Sequence, residues 1–209
     1  MLLELLPQLD KVPVIGILRG CPPERVEEVA FTAVEGGLLA LEVTFDSEGA
    51  AGQLAQLRKS FPQLAIGAGT VLERAQLESA ASSGASFIVT PVIEEDLLGA
   101  CRELGLPCLM GAATPTEIWR AHRLGAEGIK VFPAEQLGGP AYLAALRSPL
   151  GPLALVPTGG VDAANARAYL ESGAVALGVA SSVFPRQALQ VGDLSAIGRA
   201  VEHLVAALP

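Results

Sequence analysis

The sequence predicts a closed (β/α)8 barrel, and three observations carry that expectation. Short apolar runs alternate with helical segments along the whole 209-residue chain. The runs are apolar throughout, as parallel strands covered on both faces must be. The strand-helix unit recurs about eight times at a spacing of about 20 to 27 residues, on the compact side for this architecture. A doubly wound open sheet is the second reading. It would have to leave edge strands, and none of the eight runs reads as an edge.

The elements follow in order. Met1-Leu2-Leu3-Glu4-Leu5-Leu6 reads as an extra amphipathic N-terminal helix; it lacks a basic flank and is too short for a signal peptide. Pro13 to Arg19 is the first strand. The helix after it opens at Pro22-Pro23-Glu24, where proline suits a first turn, and stops at Gly36-Gly37. Leu39 to Phe45 is the second strand, with Asp46 and Ser47 as N-caps for a helix running to Lys59. The third strand is Ala65 to Val71, with a helix through Leu77 to Ser82. The fourth is Phe87 to Thr90, stopped at Pro91, followed by a helix from Glu94 to Leu104.

Pro107 to Ala112 is the fifth strand. Thr114-Pro115-Thr116-Glu117 then supplies a cap, a first-turn proline and an acidic first turn. Gly128 to Phe132 is the sixth strand, and its helix covers Pro140 to Arg147. Leu153 to Thr158 is the seventh, with a helix from Asp162 to Glu171. Val175 to Ala180 is the eighth, and Leu194 to Leu208 closes the chain as a helix. We expect one domain spanning 1–209, since no linker or low-complexity stretch interrupts the rhythm.

Composition narrows the function classes. The net charge is −8, and no basic run marks a nucleic-acid partner. An anionic substrate would therefore need local donors, because the global field opposes it. No apolar run reaches transmembrane length, so no membrane association is expected. The cysteines Cys21, Cys101 and Cys108 lack metal or redox spacing and suggest a reducing cytoplasm. His122 and His203 fall on helices without ligand-spaced partners, so neither a metal nor a cofactor is implied.

Barrels of this kind place chemistry at the C-terminal ends of the strands. That rule selects Arg19, Glu42, Thr44, Thr70, Thr90, Lys130, Thr158-Gly159-Gly160 and Ser181-Ser182. Lys130 is set among Ile129, Val131 and Phe132, whereas Lys11 and Lys59 lie in polar surroundings. A buried lysine is costly unless paired or deprotonated, and a deprotonated lysine condenses with carbonyls. Lys130 is thus a Schiff-base candidate, or a strand lysine whose head snorkels to water. Glu42, between Leu41 and Val43, is either the proton shuttle that imine chemistry needs or a structural ion pair for Lys130. Thr158-Gly159-Gly160 reads as a phosphate loop, with Ser181 adding a hydroxyl, or as an ordinary glycine turn. Arg19 is an anion fork or a paired rim residue, and Thr70 a substrate contact or a plain strand threonine.

The same positions carry a resemblance. Pro13-Val14-Ile15, Leu41-Glu42-Val43-Thr44, Gly67-Ala68-Gly69-Thr70-Val71-Leu72, Ala113-Thr114-Pro115-Thr116-Glu117, Lys130-Val131-Phe132-Pro133-Ala134-Glu135 and Pro157-Thr158-Gly159-Gly160-Val161 stand in order on their strands. Over nearly its full length the chain resembles the 2-keto-3-deoxy-6-phosphogluconate (KDPG) / 4-hydroxy-2-oxoglutarate (KHG) aldolases. The resemblance implies a metal-independent class I aldolase, typically a homotrimer, releasing pyruvate and an aldehyde such as glyceraldehyde 3-phosphate from a keto acid or sugar phosphate. It implies Lys130 as the imine lysine and Glu42 as general acid/base. Thr70 and Thr158 would line the pyruvate end, and Gly159, Gly160 and Ser181, with Arg19, the phosphate.

One position departs from the pattern. The family carries an arginine for the pyruvate carboxylate shortly after the Glu-Val-Thr motif, and here that place holds Asp46. Two like charges about 4 Å apart repel by roughly 4 kcal/mol at an effective dielectric near 20. We expect Asp46 to turn outward and cap the next helix. The alternatives are that Arg19 takes over the carboxylate, or that the substrate differs.

Overall fold

The computed structural model describes residues 2–209. Its eight strands are β1 (Val14–Leu18), β2 (Ala40–Thr44), β3 (Ala65–Gly69), β4 (Ile88–Val89), β5 (Cys108–Ala112), β6 (Gly128–Val131), β7 (Leu155–Pro157) and β8 (Leu177–Val179). They pair in parallel in the order β7-β6-β5-β4-β3-β2-β1-β8. Two isolated parallel bridges, Leu155 with Ala174 and Thr158 with Gly178, join β7 to β8 and close the barrel. The expected closure thus holds, through bridges and not a full ladder at the last seam. Every strand residue is buried, which accounts for the continuous apolar runs.

Two short helices, α1 (Leu2–Leu5) and α2 (Gln8–Lys11), precede β1. The first lies within the helix expected over 1–6, and the second is unexpected. Pro7, whose nitrogen carries no proton to continue the ladder, separates the two. Met1 of that expected helix lies outside the described residues. Leu2, Leu6 and Leu9 are buried with Ile15, Ala40 and Ala65 from the strands, so the N-terminal segment packs onto the barrel interior.

Helices α3 (Val26–Glu35), α4 (Ala50–Ser60), α5 (Arg74–Ser82), α6 (Glu95–Glu103), α7 (Pro115–Leu124), α8 (Gly139–Leu150) and α9 (Ala166–Glu171) connect successive strands. After β8 come α10 (Arg186–Val191), which the sequence reading left unassigned although Pro185 and Gly192 flank it, and α11 (Leu194–Ala206). The α7 signals act as expected. Thr114 Oγ1 accepts from the Glu117 N–H at 3.3 Å, and the Glu117 carboxylate accepts from the Thr114 N–H at 2.8 Å. The Ala113 N–H, at 3.0 Å, and then the Thr114 N–H hold the Glu117 carboxyl below the usual carboxylate range. The start expected at Asp162 shifts to Ala166, because the Asp162 carboxylate accepts the Ala164 and Asn165 N–H groups in a preceding turn. Among the described residues no helix is long and apolar enough to cross a membrane.

Candidate active site

Register sets the site. Ile17, Glu42 and Gly67 align across β1, β2 and β3, and Gly111 aligns with Lys130 across β5 and β6. Glu42 is 2% exposed and Lys130 6%, and their approach to each other from the non-adjacent strands β2 and β6 shows that both expected inward residues face the interior. The Lys130 Nζ lies 4.0 Å from Glu42 Oε1, and that oxygen is buried without a hydrogen-bond partner. The Phe132 ring centroid is 5.8 Å from Nζ on the mouth side. Burial pushes the Glu42 carboxyl above its ordinary value; Lys130 and then Arg19 pull it back down, and Asp46 pushes it up. A carboxyl poised this way can hold a proton and also release it.

The raised value has a consequence for stability. A carboxyl whose folded pKa exceeds its unfolded one supports the fold below the unfolded value, and that support is lost as pH rises through the folded value. Glu42→Gln removes the titration. Its melting temperature minus that of the wild type is expected to become more positive as pH rises above the ordinary glutamate value of 4.5. Paired melting curves across the acid-to-neutral range check this; a falling difference would mean that Lys130 and Arg19 outweigh burial.

Gly69 makes room for the pair. A Cβ there would come within 1.7 Å of Glu42 Oε1. Although Gly69 stood in a quoted motif, the sequence reading gave it no role; the clash becomes visible only once β2 and β3 are in register.

Arg19 follows β1 directly and reaches across β2 to the loop after β3. Its guanidinium pairs with Asp46, and Nη2 donates to Thr70 Oγ1 at 2.9 Å. Thr70 adopts φ +56°, a left-handed backbone that is rare for a β-branched residue and is found at functional sites. The helix-capping role expected for Asp46 is overturned, although the residue is exposed. Helix α4 starts at Ala50, behind Gly49 at φ +68°, without a side-chain cap, which leaves Asp46 on the rim beside Arg19. Ser47 does not cap either. Its hydroxyl accepts from the Gly20 N–H at 3.0 Å and lies 2.8 Å from that of buried Thr44, tying the first two rim loops together. Thr90 is buried, and its hydroxyl donates to the Val92 carbonyl, so it braces its own loop.

The other expected residues gather after β7 and β8, on the other flank of β1. Thr158 is buried where β7 meets β8, its Oγ1 beside Gly178. Gly159 and Gly160 take φ +91° and +77°, and a Cβ on Gly160 would sit 2.2 Å from a Glu135 carboxylate oxygen. Among the described residues the Gly159, Gly160 and Ser181 N–H groups donate to no carbonyl. They border a cavity of about 240 Å³ that Glu135 and Asp162 also line. A second cavity of about 510 Å³ runs from Ile17 past Arg19 and Asp46 to Ser181, Phe184 and Arg186. The sequence reading missed Arg186 because it placed no helix between Pro185 and Gly192, the start and stop signals that could have found it.

No group of three or more His, Cys, Asp or Glu residues suited to a metal exists among the described residues. His122 and His203 sit exposed on α7 and α11, the former 5.4 Å from the Trp119 ring, and all three cysteines are free and buried.

A barrel whose mouth holds a buried lysine against a buried carboxylate defines a class of protein: an enzyme of carbonyl chemistry with the parts for an imine. Within that class, the chain belongs to the KDPG and KHG aldolase family, whose model matches residues 6–200. Members of that family are lyases, and so is this chain. A relative named 2-dehydro-3-deoxy-phosphogluconate aldolase, from Treponema pallidum, is 35% identical over 197 residues, covering 93% of this chain and 91% of its own. A solved structure described as native KDPGal superposes with a TM-score of 0.87 at 28% identity, covering 94% of each chain. The KDPG aldolase of Legionella pneumophila, with pyruvate captured as a covalent carbinolamine intermediate, has a TM-score of 0.84 at 28% identity and covers 92% of this chain and 94% of that one.

Proposed function

We propose that this chain is a class I aldolase that cleaves a 2-keto-3-deoxy-6-phospho sugar acid to pyruvate and glyceraldehyde 3-phosphate. The observation that carries the reading is the buried pair, Lys130 Nζ 4.0 Å from Glu42 Oε1. Lys130 attacks the C2 carbonyl to form a carbinolamine. Glu42 protonates the departing hydroxyl, which leaves as water, and an iminium remains. A base takes the C4 hydroxyl proton, the C3–C4 bond breaks and its electron pair passes into the iminium, giving the aldehyde and an enamine. Protonation at C3 and addition of water then release pyruvate. Glu42 is the group placed to carry these protons, and burial raises its pKa, favouring the protonated form from which an acid catalyst starts.

Arg19 takes the carboxylate of the substrate in this scheme. Asp46 occupies the position of the family's arginine, and Arg19 arrives from the neighbouring strand to pair with it and with Thr70. The anchoring charge is kept, supplied from β1. Thr158 closes the pyruvate end, and the free N–H groups of Gly159, Gly160 and Ser181 face the phosphate end.

Pyruvate with sodium borohydride, followed by mass mapping, tests the proposal. A pyruvate adduct on Lys130, absent from exposed Lys11 and Lys59, is expected. A folded protein that binds sugar phosphate yet forms no adduct would instead be an isomerase-type or purely binding barrel. The proposal includes the homotrimer that the resemblance implies. Leu72, Val92 and Trp119, all more than 40% exposed, follow β3, β4 and β5 and supply apolar surface for it. Light scattering is expected to give three times the 21.4 kDa chain mass, and a monomer mass would refute this part.

A further inference from the structure

We propose that Arg186 holds the phosphate of the substrate and sets the preference for phosphorylated over unphosphorylated keto acids; this rests on the aldolase reading. The glycine seat lacks a cation of its own. Its 240 Å³ cavity is lined by Gly159, Gly160, Ser181 and Ser182 but also by the carboxylates of Glu135 and Asp162. A phosphate dianion placed there meets donors and two like charges together. The chain's net charge of −8 adds to that opposition.

Arg186 supplies what is missing. It lines the adjoining 510 Å³ cavity, which shares Ala180 and Ser181 with the glycine seat. The cavity's other charged residues are Arg19, Asp46 and Glu48. Arg19 is the cation assigned to the substrate carboxylate, held in place by Asp46 and Thr70, while Arg186 has neither an ion pair nor a hydrogen bond among the described residues and is open to a second anion. One turn further along α10, Gln190 Nε2 donates to the Gly20 carbonyl at 3.1 Å. That bond ties the helix bearing Arg186 to the loop bearing Arg19, so the two guanidinium groups share one mouth. A ligand with a carboxylate at one end and a phosphate at the other matches two cations so placed, and a guanidinium fork suits phosphate oxygens.

The test compares wild type, Arg186→Ala and Arg186→Lys on a 6-phosphorylated keto acid and on its unphosphorylated counterpart. Arg186→Ala is expected to raise KM for the phosphorylated substrate by about 10- to 100-fold, as loss of a hydrogen bond to a charged group does. KM for the unphosphorylated one is expected to move much less, and Arg186→Lys to recover part of the loss. An equal shift for both substrates, or none, overturns the proposal. Weakened binding of inorganic phosphate to Arg186→Ala, read by calorimetry, is expected whether or not Lys130 forms an imine; unchanged binding also overturns it. Absence of the pyruvate adduct in the wild type, by contrast, removes the aldolase reading alone.

Discussion

Lys130→Met is expected to abolish aldol cleavage and the borohydride adduct while leaving the barrel folded. Methionine keeps an unbranched chain of similar length among Ile129, Val131 and the barrel interior, so packing survives. The change also removes a buried cation. Glu42 then loses its charge partner, but burial already favours its neutral form, and a neutral carboxyl can stay where it is. Thermal stability is expected to hold, because the usual cost of removing one partner of a buried pair is the uncompensated charge left behind, and a Glu42 carboxyl that protonates leaves none. Turnover is expected to fall by about four to six orders of magnitude, the scale seen when a covalent nucleophile is deleted. Steady-state rates alongside melting curves check both halves. Residual activity above a few per cent of wild type would show that cleavage does not pass through a Lys130 imine.

Gly69→Ala is expected to act on the same chemistry without touching a reacting group. Gly69 lacks a left-handed backbone, so alanine meets no conformational strain there. The new methyl group instead collides with Glu42, 1.7 Å from Oε1 and 2.2 Å from the carboxyl carbon. The carboxyl must swing away from Lys130, and misplacing a proton-transfer group costs on the order of 10² to 10⁴ in kcat. A double-mutant cycle isolates this cause. In a Glu42→Ala background the obstruction has nothing left to displace, so Gly69→Ala should cost little more. Fully additive losses would mean that the glycine matters for some other reason.

Much of the fold was legible because its signals are local. The eight apolar runs read as strands, since residues buried on both faces cannot alternate. Thr114, Pro115 and Glu117 announced α7, because capping is decided within one turn of chain. Lys130 and Glu42 were legible for a related reason: a charge inside an apolar run is costly wherever the run goes. The failures were local signals overruled from elsewhere. Asp46 and Ser47 have good capping chemistry, but Gly49 delays the helix and the rim claims both side chains.

By itself the sequence determined the strand-helix alternation, the barrel class and the identity of the two buried charged residues. Only the tertiary structure decided how the mouth is wired. Arg19 meets Asp46 and Thr70 across 27 and 51 residues of chain. Gly69 and Glu42 share a space that exists once β2 and β3 are in register. Gln190 ties α10, with Arg186, to Gly20 across 170 residues. Periodicity and capping report on the chain's nearest few neighbours, whereas closing a parallel barrel brings together strand ends that no local pattern relates.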